Sequence, residues 1–142
     1  MKVCEEFYIN GEWVKPVNDL KTLDVINPAT EEVFGRIALG DKDDVDAAVE
    51  AAYNAFESFG YSSVDERVSL LEKILEVYQG KYDEIAETIS SEMGAPIGLS
   101  KAAQAATGLG HFSTALETLK NYKFEEVKGS ALIRKEPIGV VG

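Results

Sequence analysis

The sequence has little cysteine, little basic charge and no long apolar run. Among its 142 residues Cys4 is the only cysteine, so no internal disulfide can form, and a reducing, cytoplasmic location is expected. Only 14 Lys and Arg accompany 25 Asp and Glu, and the net charge of −11 argues against a nucleic-acid or anionic-membrane partner. No uncharged run approaches the roughly 18 residues that span a bilayer. No apolar signal segment follows the first two residues, so we expect no membrane partner.

The usual chemical signatures are also missing. Without a Gly-x-Gly-x-x-Gly or Walker pattern, no common phosphate-binding turn is expected. The four aspartates of segment 41–46 lack EF-hand spacing, and we interpret them as helix caps and solvated charges rather than calcium ligands. Cys4 has no histidine beside it to activate the thiol, and we interpret His111 as a packed or surface imidazole. The residue patterns alone therefore predict no active site.

Two hairpin signals open the chain. Residues 7–14 carry an Asn-Gly pair between β-forming residues, and this pair tolerates the positive φ angles of a two-residue turn. Residues 22–26 and 32–37 flank a turn in which Pro28 presets φ. We expect about the first 40 residues to form a small β-meander.

Four helices are predicted next. Asp41 caps the first, and Ser63 opens the second with a Ser-x-x-Glu capping box. The third ends at Gly94, and the fourth runs from near Ser100 to about Asn121, with small residues at 102–110 that would let another element approach its backbone. Apolar residues recur at the helical period and are expected to face a core. In chain order they are Val45, Ala48, Val49, Ala52, Phe56 and Phe59; Val68, Leu71, Ile74, Leu75 and Tyr78; Ile85, Ala86, Ile89 and Met93; Ala103, Ala106, Leu109, Phe112, Leu116 and Leu119.

Strand patterns return after Tyr122. Residues 124–127 and 131–134 flank Lys-Gly-Ser and predict an extended hairpin, whose charged arms are typical of an exposed ribbon. Residues 138–142 are short and apolar, the pattern of a strand covered on both faces in a parallel sheet. Such a strand needs neighbours on both edges. We therefore interpret the chain as the amino-terminal piece of a larger α/β protein.

Five segments carry a family resemblance across essentially the whole chain. They are YINGEWV at 8–14, INPATEEV at 26–33, the helix at 43–56, EMGAP at 92–96 and RKEPIGVVG at 134–142. In this order and spacing they closely resemble the NAD(P)-dependent aldehyde dehydrogenase superfamily. The resemblance implies the amino-terminal part of that α/β fold. Residues 1–121 would belong to the cofactor-binding domain, residues 122–136 would form an oligomerisation ribbon, and residues 137–142 would start the first Rossmann-type strand.

The resemblance also implies an activity. In the family a cysteine thiolate attacks an aldehyde, and the thiohemiacetal passes hydride to NAD or NADP. A glutamate-activated water then hydrolyses the thioester to the carboxylic acid. These groups follow the last strand segment in the family, so no catalytic or cofactor-binding residue is assigned here, and the chain alone is expected to be inactive. The implied partners are a small-molecule aldehyde and further copies of the chain, as a homo-dimer or homo-tetramer.

Two sets of site residues are implied by the same resemblance. Many members hold Na⁺ or K⁺ through the main-chain oxygen before Asn-Pro and the acid of the acid-x-Gly-x-Pro motif, which correspond to Ile26 and Glu92. A plain helix-end carboxylate is the alternative for Glu92. The fourth helix borders the substrate entrance in the family, which would point Ser100, Gln104 and Gly108 toward the tunnel. For the whole chain, the alternative is a non-catalytic structural or dimerisation module, or an inactive homologue.

Overall fold

The structure, a computed structural model, describes residues 2–142 and has an α/β fold. Two small sheets come first, the helices follow, and a hairpin ribbon comes last. The strands are β1 (Lys2–Cys4), β2 (Phe7–Ile9), β3 (Glu12–Val14), β4 (Lys21–Asn27), β5 (Glu32–Leu39), β6 (Glu125–Lys128) and β7 (Ala131–Arg134). The helices are α1 (Lys42–Phe59), α2 (Val64–Gly80), α3 (Tyr82–Met93), the single turn α4 (Ile97–Leu99) and α5 (Ala106–Asn121), with a π-helical segment, Ser100–Ala105, before α5. None of the helices in this described part is both long and apolar enough to cross a membrane.

The two predicted amino-terminal hairpins form, but in two sheets rather than one meander. β2 pairs with β3 across Asn10 and Gly11, whose φ angles of 54° and 81° are the pair of positive values that a type I′ turn requires. β4 pairs antiparallel with one edge of β5, and β1 pairs in parallel with the other edge. β1 was not predicted, because three residues that pair with a strand far along the chain leave no local signal.

The predicted helix starts at Asp41 and Ser63 are confirmed. Asp41 accepts from the Asp43 N–H at 3.0 Å, while the Asp44 carboxylate accepts from the Asp41 N–H at 2.9 Å. Ser63 Oγ accepts from the Glu66 N–H at 3.2 Å, and the Glu66 carboxylate accepts from the Ser63 N–H at 2.7 Å. Each reciprocal pair satisfies backbone donors that a helix start leaves without partners.

The principal packing unit comprises α2, α3, the π-helical segment and α5, called the helical body here. α5 lies against α2, and the π-helical segment lies against α3. All five predicted inward residues of α2 are half-buried, and Ala86 and Ala105 are completely buried. The rings of Tyr78 and Phe112 lie 6.2 Å apart across the α2–α5 contact. The predicted apolar stripes of α2 and α5 therefore meet each other, although Ala103, predicted to face inward, is exposed.

α1 differs from its predicted burial. Val45, Val49 and Phe59 are exposed, and among its six predicted inward residues only Phe56 is half-buried. The apolar period correctly predicted a helix, because the period depends only on the sequence. Burial depends on what covers the face, and α1 is contacted chiefly by β2. The exposed Met93 at the end of α3 is a second such case.

The ribbon β6–β7 forms as the predicted antiparallel hairpin, with a tighter turn. Lys128 pairs with Ala131, which leaves Gly129 and Ser130 as a two-residue turn where three residues were expected. All eight strand residues are exposed. The predicted strand at 138–142 is not formed, and Ile138 is 95% exposed. That segment lacks strand neighbours among residues 2–142, and an unpaired strand is not stable by itself.

Candidate functional site

The three residues predicted to point toward a substrate entrance lie along the π-helical segment and the start of α5. Ser100 is completely buried, and its Oγ lies 3.5 Å from Gln104 Oε1. Gln104 is half-buried, and its Nε2 lies 3.6 Å from Met93 Sδ. Gly108 is half-buried and faces α2. Their assignment to an entrance stays a prediction.

Side-chain hydroxyls meet the carbonyls of this segment at alternate positions. Tyr82 Oη, on α3, donates to the Lys101 carbonyl, and Tyr78 Oη, on α2, donates to the Ala105 carbonyl at 2.9 Å. Between them, Thr107 Oγ1 donates to the Ala103 carbonyl at 2.8 Å. π-Helical turns are rare and frequently mark functional sites. Sequence reasoning missed this one because an alanine-rich run favours an ordinary α-helix.

A charged contact also ties the segment to α3. Lys101 Nζ lies 2.8 Å from Asp83 Oδ1. The hydrogen bond to Asp83 is the main reason that the pKa of Lys101 is raised above its ordinary value. Both side chains are exposed, so the pair contributes little to stability.

At Gly108, α5 lies close to the Tyr78 side chain of α2. A Cβ atom added at this position would lie 2.3 Å from Tyr78 Oη and 2.8 Å from Tyr78 Cζ. Contacts that short do not occur, so any side chain at position 108 would displace the phenol ring. The expectation that small residues let another element approach this helix is confirmed at Gly108.

The two residues predicted to hold a monovalent cation lie on segments that the fold brings together. Ile26 is the penultimate residue of β4, and Glu92 is the penultimate residue of α3. The ends meet through Pro28 and Gly94, since a Cβ added at Gly94 would lie 2.8 Å from Pro28 Cγ. Carbonyl and carboxylate oxygens are the ligands of hard cations, and a helix carboxyl end adds negative potential. These residues therefore fit a monovalent cation in kind, and the site stays a prediction.

The acidic segment at the start of α1 is organised by hydrogen bonds. Asn18 Nδ2 donates to Asp41 Oδ2 at 3.0 Å and to Asp43 Oδ2 at 2.8 Å. The bond from Asn18 is the leading reason that the pKa of Asp41 is lowered from its ordinary value. Asp44, which is only 6% exposed, also accepts from the Val17 N–H at 2.8 Å and so fastens the preceding loop. The interpretation as caps is confirmed for Asp41 and Asp44. No group of three His, Cys, Asp or Glu side chains within residues 2–142 is arranged to hold a metal ion.

Cys4 and His111 lie on separate elements. Cys4 is exposed on β1, where it lines a cleft of about 600 Å³ with Trp13 and Leu20 among others. His111 is exposed on α5, which agrees with its interpretation as a surface imidazole. In the described part of the chain, no hydrogen bond joins either side chain to a potential acid or base. This thiol and this imidazole do not form a nucleophile–base pair.

A groove of about 900 Å³ lies where the ribbon leaves the helical body. The Arg67 guanidinium carbon sits 4.8 Å from the centre of the Phe124 ring, and Lys135 Nζ sits 4.3 Å from that of Tyr122. The two rings meet edge to face, 4.8 Å apart. The Lys135 N–H also donates to the Phe124 carbonyl at 2.9 Å, which closes the base of the hairpin. These four residues form what we call the ribbon root.

Known proteins share the sequence and the fold of this chain. The model of the aldehyde dehydrogenase family matches residues 13–142. A Staphylococcus aureus protein with the provisional name aldehyde dehydrogenase is 52% identical over 135 residues, which are 95% of this chain and 28% of that protein. The crystal structure of an aldehyde dehydrogenase from Bartonella henselae is 41% identical, with a TM-score of 0.87, over 92% of this chain and 28% of its own.

A second solved structure is similar over still more of the chain. It is a mutant of aldehyde dehydrogenase C from Pseudomonas syringae, in complex with NAD⁺ and octanal. It is 38% identical, with a TM-score of 0.91, over 95% of this chain and 28% of its own. This chain thus spans little more than a quarter of the relatives that it matches. The family model covers nearly all of the chain, and the chain belongs to the aldehyde dehydrogenase family.

Proposed function

We propose that this chain is the amino-terminal part of an enzyme that oxidises an aldehyde to a carboxylic acid with NAD⁺ or NADP⁺. The observation that carries the proposal is the fold, which aligns over 95% of the chain with a dehydrogenase solved with NAD⁺ and octanal. Residues 2–142 offer no glycine-rich phosphate turn that fits a dinucleotide. We therefore assign no cofactor contact and no catalytic role within the chain, and the proposal places both in the remainder of a longer protein.

The exposed surface supports a role as part of a larger fold. The described residues expose 10530 Å². A compact monomer of 15.5 kDa exposes roughly 7,200 Å² by the usual scaling of area with mass. Apolar residues on β4, β5 and α1, among them Leu23, Val33, Val45 and Val49, contribute to the excess. Apolar surface of this extent is typical of contact regions rather than of a free-standing domain.

The proposed reaction uses a cysteine outside these 142 residues, through a thiohemiacetal and a thioester. The longer protein that carries this chain should reduce NAD⁺ or NADP⁺ when given an aldehyde, and alkylation of its thiols should abolish turnover. Cys4→Ser should leave kcat unchanged, because Cys4 lies on exposed β1 and outside the matched residues 13–142. A large loss of kcat in a folded Cys4→Ser variant would count against the proposal.

The same measurements separate the two candidate roles. A longer protein that oxidises no aldehyde but still self-associates through the ribbon would indicate a structural module or an inactive homologue. The 142-residue chain alone should produce no NADH or NADPH from aliphatic or aromatic aldehydes above a blank without protein. Activity in that sample, after controls for contaminating enzymes, would show that the catalytic groups lie within the chain.

The ribbon β6–β7 is proposed to join subunits of a homo-dimer or homo-tetramer in the cytoplasm. Its strands are exposed, and Val127 and Leu132 are 74% and 61% accessible. An exposed pair of strands with apolar side chains is a ready template for strand addition, while its charged residues limit indiscriminate pairing. A single exposed cysteine is compatible with the reducing conditions of the cytoplasm.

Ile26 and Glu92 are proposed to contribute oxygen ligands to Na⁺ or K⁺. The test is the melting temperature of the longer protein in potassium chloride and in choline chloride at equal ionic strength. Potassium should stabilise the native protein more than choline does, and Glu92→Gln should remove that difference. Glu87→Gln, on the same helix, is the matched control and should preserve it. Equal melting temperatures of the native protein in both salts would favour the plain helix-end carboxylate.

A further inference from the structure

The π-helical segment is held from outside by two tyrosines, one at each end. Tyr82, the first residue of α3, reaches the Lys101 carbonyl, and Tyr78, near the end of α2, reaches the Ala105 carbonyl. These residues are four apart across the α2–α3 junction, and their targets are also four apart. The match in spacing means that one short stretch of α2 and α3 contacts both ends of the segment.

Such support is what a π-helical turn in this sequence requires. Alanine-rich residues prefer the i→i+4 bonds of an α-helix, whereas a π-helix uses i→i+5 bonds and is rarely stable without help. A side chain that bonds to a backbone carbonyl competes with the normal ladder and stabilises the altered register. The two phenols supply such bonds from outside the helix, whereas Thr107 supplies only a local one.

The register decides where the side chains of the segment point. One residue more or less in a helical turn rotates everything before it by about 100°. Reversion of Ser100–Ala105 to an α-helix would therefore turn Ser100 out of its buried position, and Gln104 would no longer lie 3.6 Å from Met93 Sδ. Gly108 follows the segment and would stay in place against α2.

We propose that Tyr78 and Tyr82 are positioning residues, whose hydroxyls hold Ser100–Ala105 in π-helical register and so determine which side chains of this segment face the aldehyde. For its consequence, which is substrate selectivity, the inference rests on the proposed function and on the predicted substrate entrance that includes Ser100 and Gln104. Its structural half, the control of register, stands on the two hydrogen bonds alone. Gly108 contributes to the same arrangement, because only glycine at this position leaves room for the Tyr78 phenol.

The test removes the hydroxyls and keeps the rings. Tyr78→Phe, Tyr82→Phe and the double variant are made in the longer protein, with Tyr53→Phe, on exposed α1, as the control for loss of a phenol hydroxyl. Gly108→Ala tests the approach of Tyr78, and Gly110→Ala is its matched control, since a Cβ at Gly110 meets no atom within 4 Å. The crystal structure of each variant gives the helical register at 100–105. Values of kcat/KM for a short and a long straight-chain aldehyde give selectivity.

The double variant is expected to show α-helical geometry at 100–105 and to change the ratio of the two kcat/KM values by about tenfold, the scale on which pocket shape discriminates chain length. Both controls should leave register and ratio unchanged. A π-helical double variant with the native ratio overturns the proposal, and so does an α-helical one with the native ratio, because the register would then not govern selectivity. If the native protein oxidises no aldehyde, the proposed function fails. The helical register of residues 100–105 in the variants would still test whether the two tyrosines hold the π-helical turn. If the double variant does not fold, each single variant and Gly108→Ala carry the same readouts.

Discussion

The helical body and the ribbon are stabilised in different ways, although both form as regular elements. In the helical body Ala86 and Ala105 are completely buried, and α2 and α5 meet along their apolar stripes. In the ribbon all eight strand residues are exposed, and contact with the rest of the chain is concentrated at the root. The body thus satisfies its apolar pattern within this chain. The apolar residues of the ribbon have no such partner among residues 2–142, which is why we propose that they contact another subunit.

The largest expected effect comes from placing a charge in each region. Ala86→Asp would bury an unpaired carboxylate and should destabilise the folded state by about 3 kcal/mol or more. Val127→Asp is the matched variant on the ribbon and should change the free energy of unfolding by less than about 0.5 kcal/mol, since Val127 is 74% exposed. Denaturation of the 142-residue chain by urea, at a concentration where it is monomeric, measures both by far-UV circular dichroism without the contribution of subunit contacts. Similar losses in the two variants would mean that the ribbon belongs to the folding core.

Subunit association should depend on the ribbon rather than on the helical body. Val127→Asp combined with Leu132→Asp places two negative charges on the apolar residues of the ribbon, where strands of two subunits would meet. The oligomer of the longer protein should dissociate, which light scattering would report as a fall in mass. Lys128→Gln, in the same strand, is the control and should leave the mass unchanged. An oligomer unaffected by the double variant would place the subunit contact elsewhere.

The ribbon root offers a finer test of how the two regions are joined. Arg67→Gln removes the cation over Phe124 and should weaken the attachment by about 0.5–1 kcal/mol, the usual strength of such a contact. Faster hydrogen exchange is expected in residues 122–136, with unchanged exchange at α3. Arg67→Lys keeps the positive charge and should restore most of the protection. If Arg67→Gln leaves exchange in the ribbon unaltered, then the contact between Arg67 and Phe124 does not attach the ribbon to the helical body.

Local patterns predicted the helix starts and the hairpins, because caps and turns depend on residues within a few positions of each other. The Ser63–Glu66 box and the Asn10-Gly11 turn are examples. Pairing of β1 with β5 and the π-helical segment were not predicted, since each depends on groups far along the chain. The exposure of α1 has the same cause. Its apolar period predicted a helix, but the burial of that face depends on a covering surface that the period does not specify. For the candidate site, the resemblance named residues, while the contacts of Tyr78 and Gly108 came only from the structure.

The smallest expected effect is the response of the helix starts to acid. Hydrogen bonds lower the pKa of Asp41, chiefly through Asn18, and the pKa of Glu66, chiefly through the Ser63 N–H. A carboxyl group whose pKa is lower in the folded state contributes stability above its unfolded pKa, and that contribution is lost as pH falls through the folded value. Acidification below about pH 4 should therefore weaken the starts of α1 and α2. The contacts of the ribbon root between Arg67 and Phe124 and between Lys135 and Tyr122 involve no carboxylate, so the root should respond less.

Asn18→Ala should raise the pKa of Asp41 and leave that of Glu66 unchanged, so Glu66 serves as the internal control in an NMR titration of the two carboxyl carbons. If Asp41 titrates unchanged in Asn18→Ala, then the pKa of Asp41 is set by the backbone N–H groups at the start of α1 and not by Asn18.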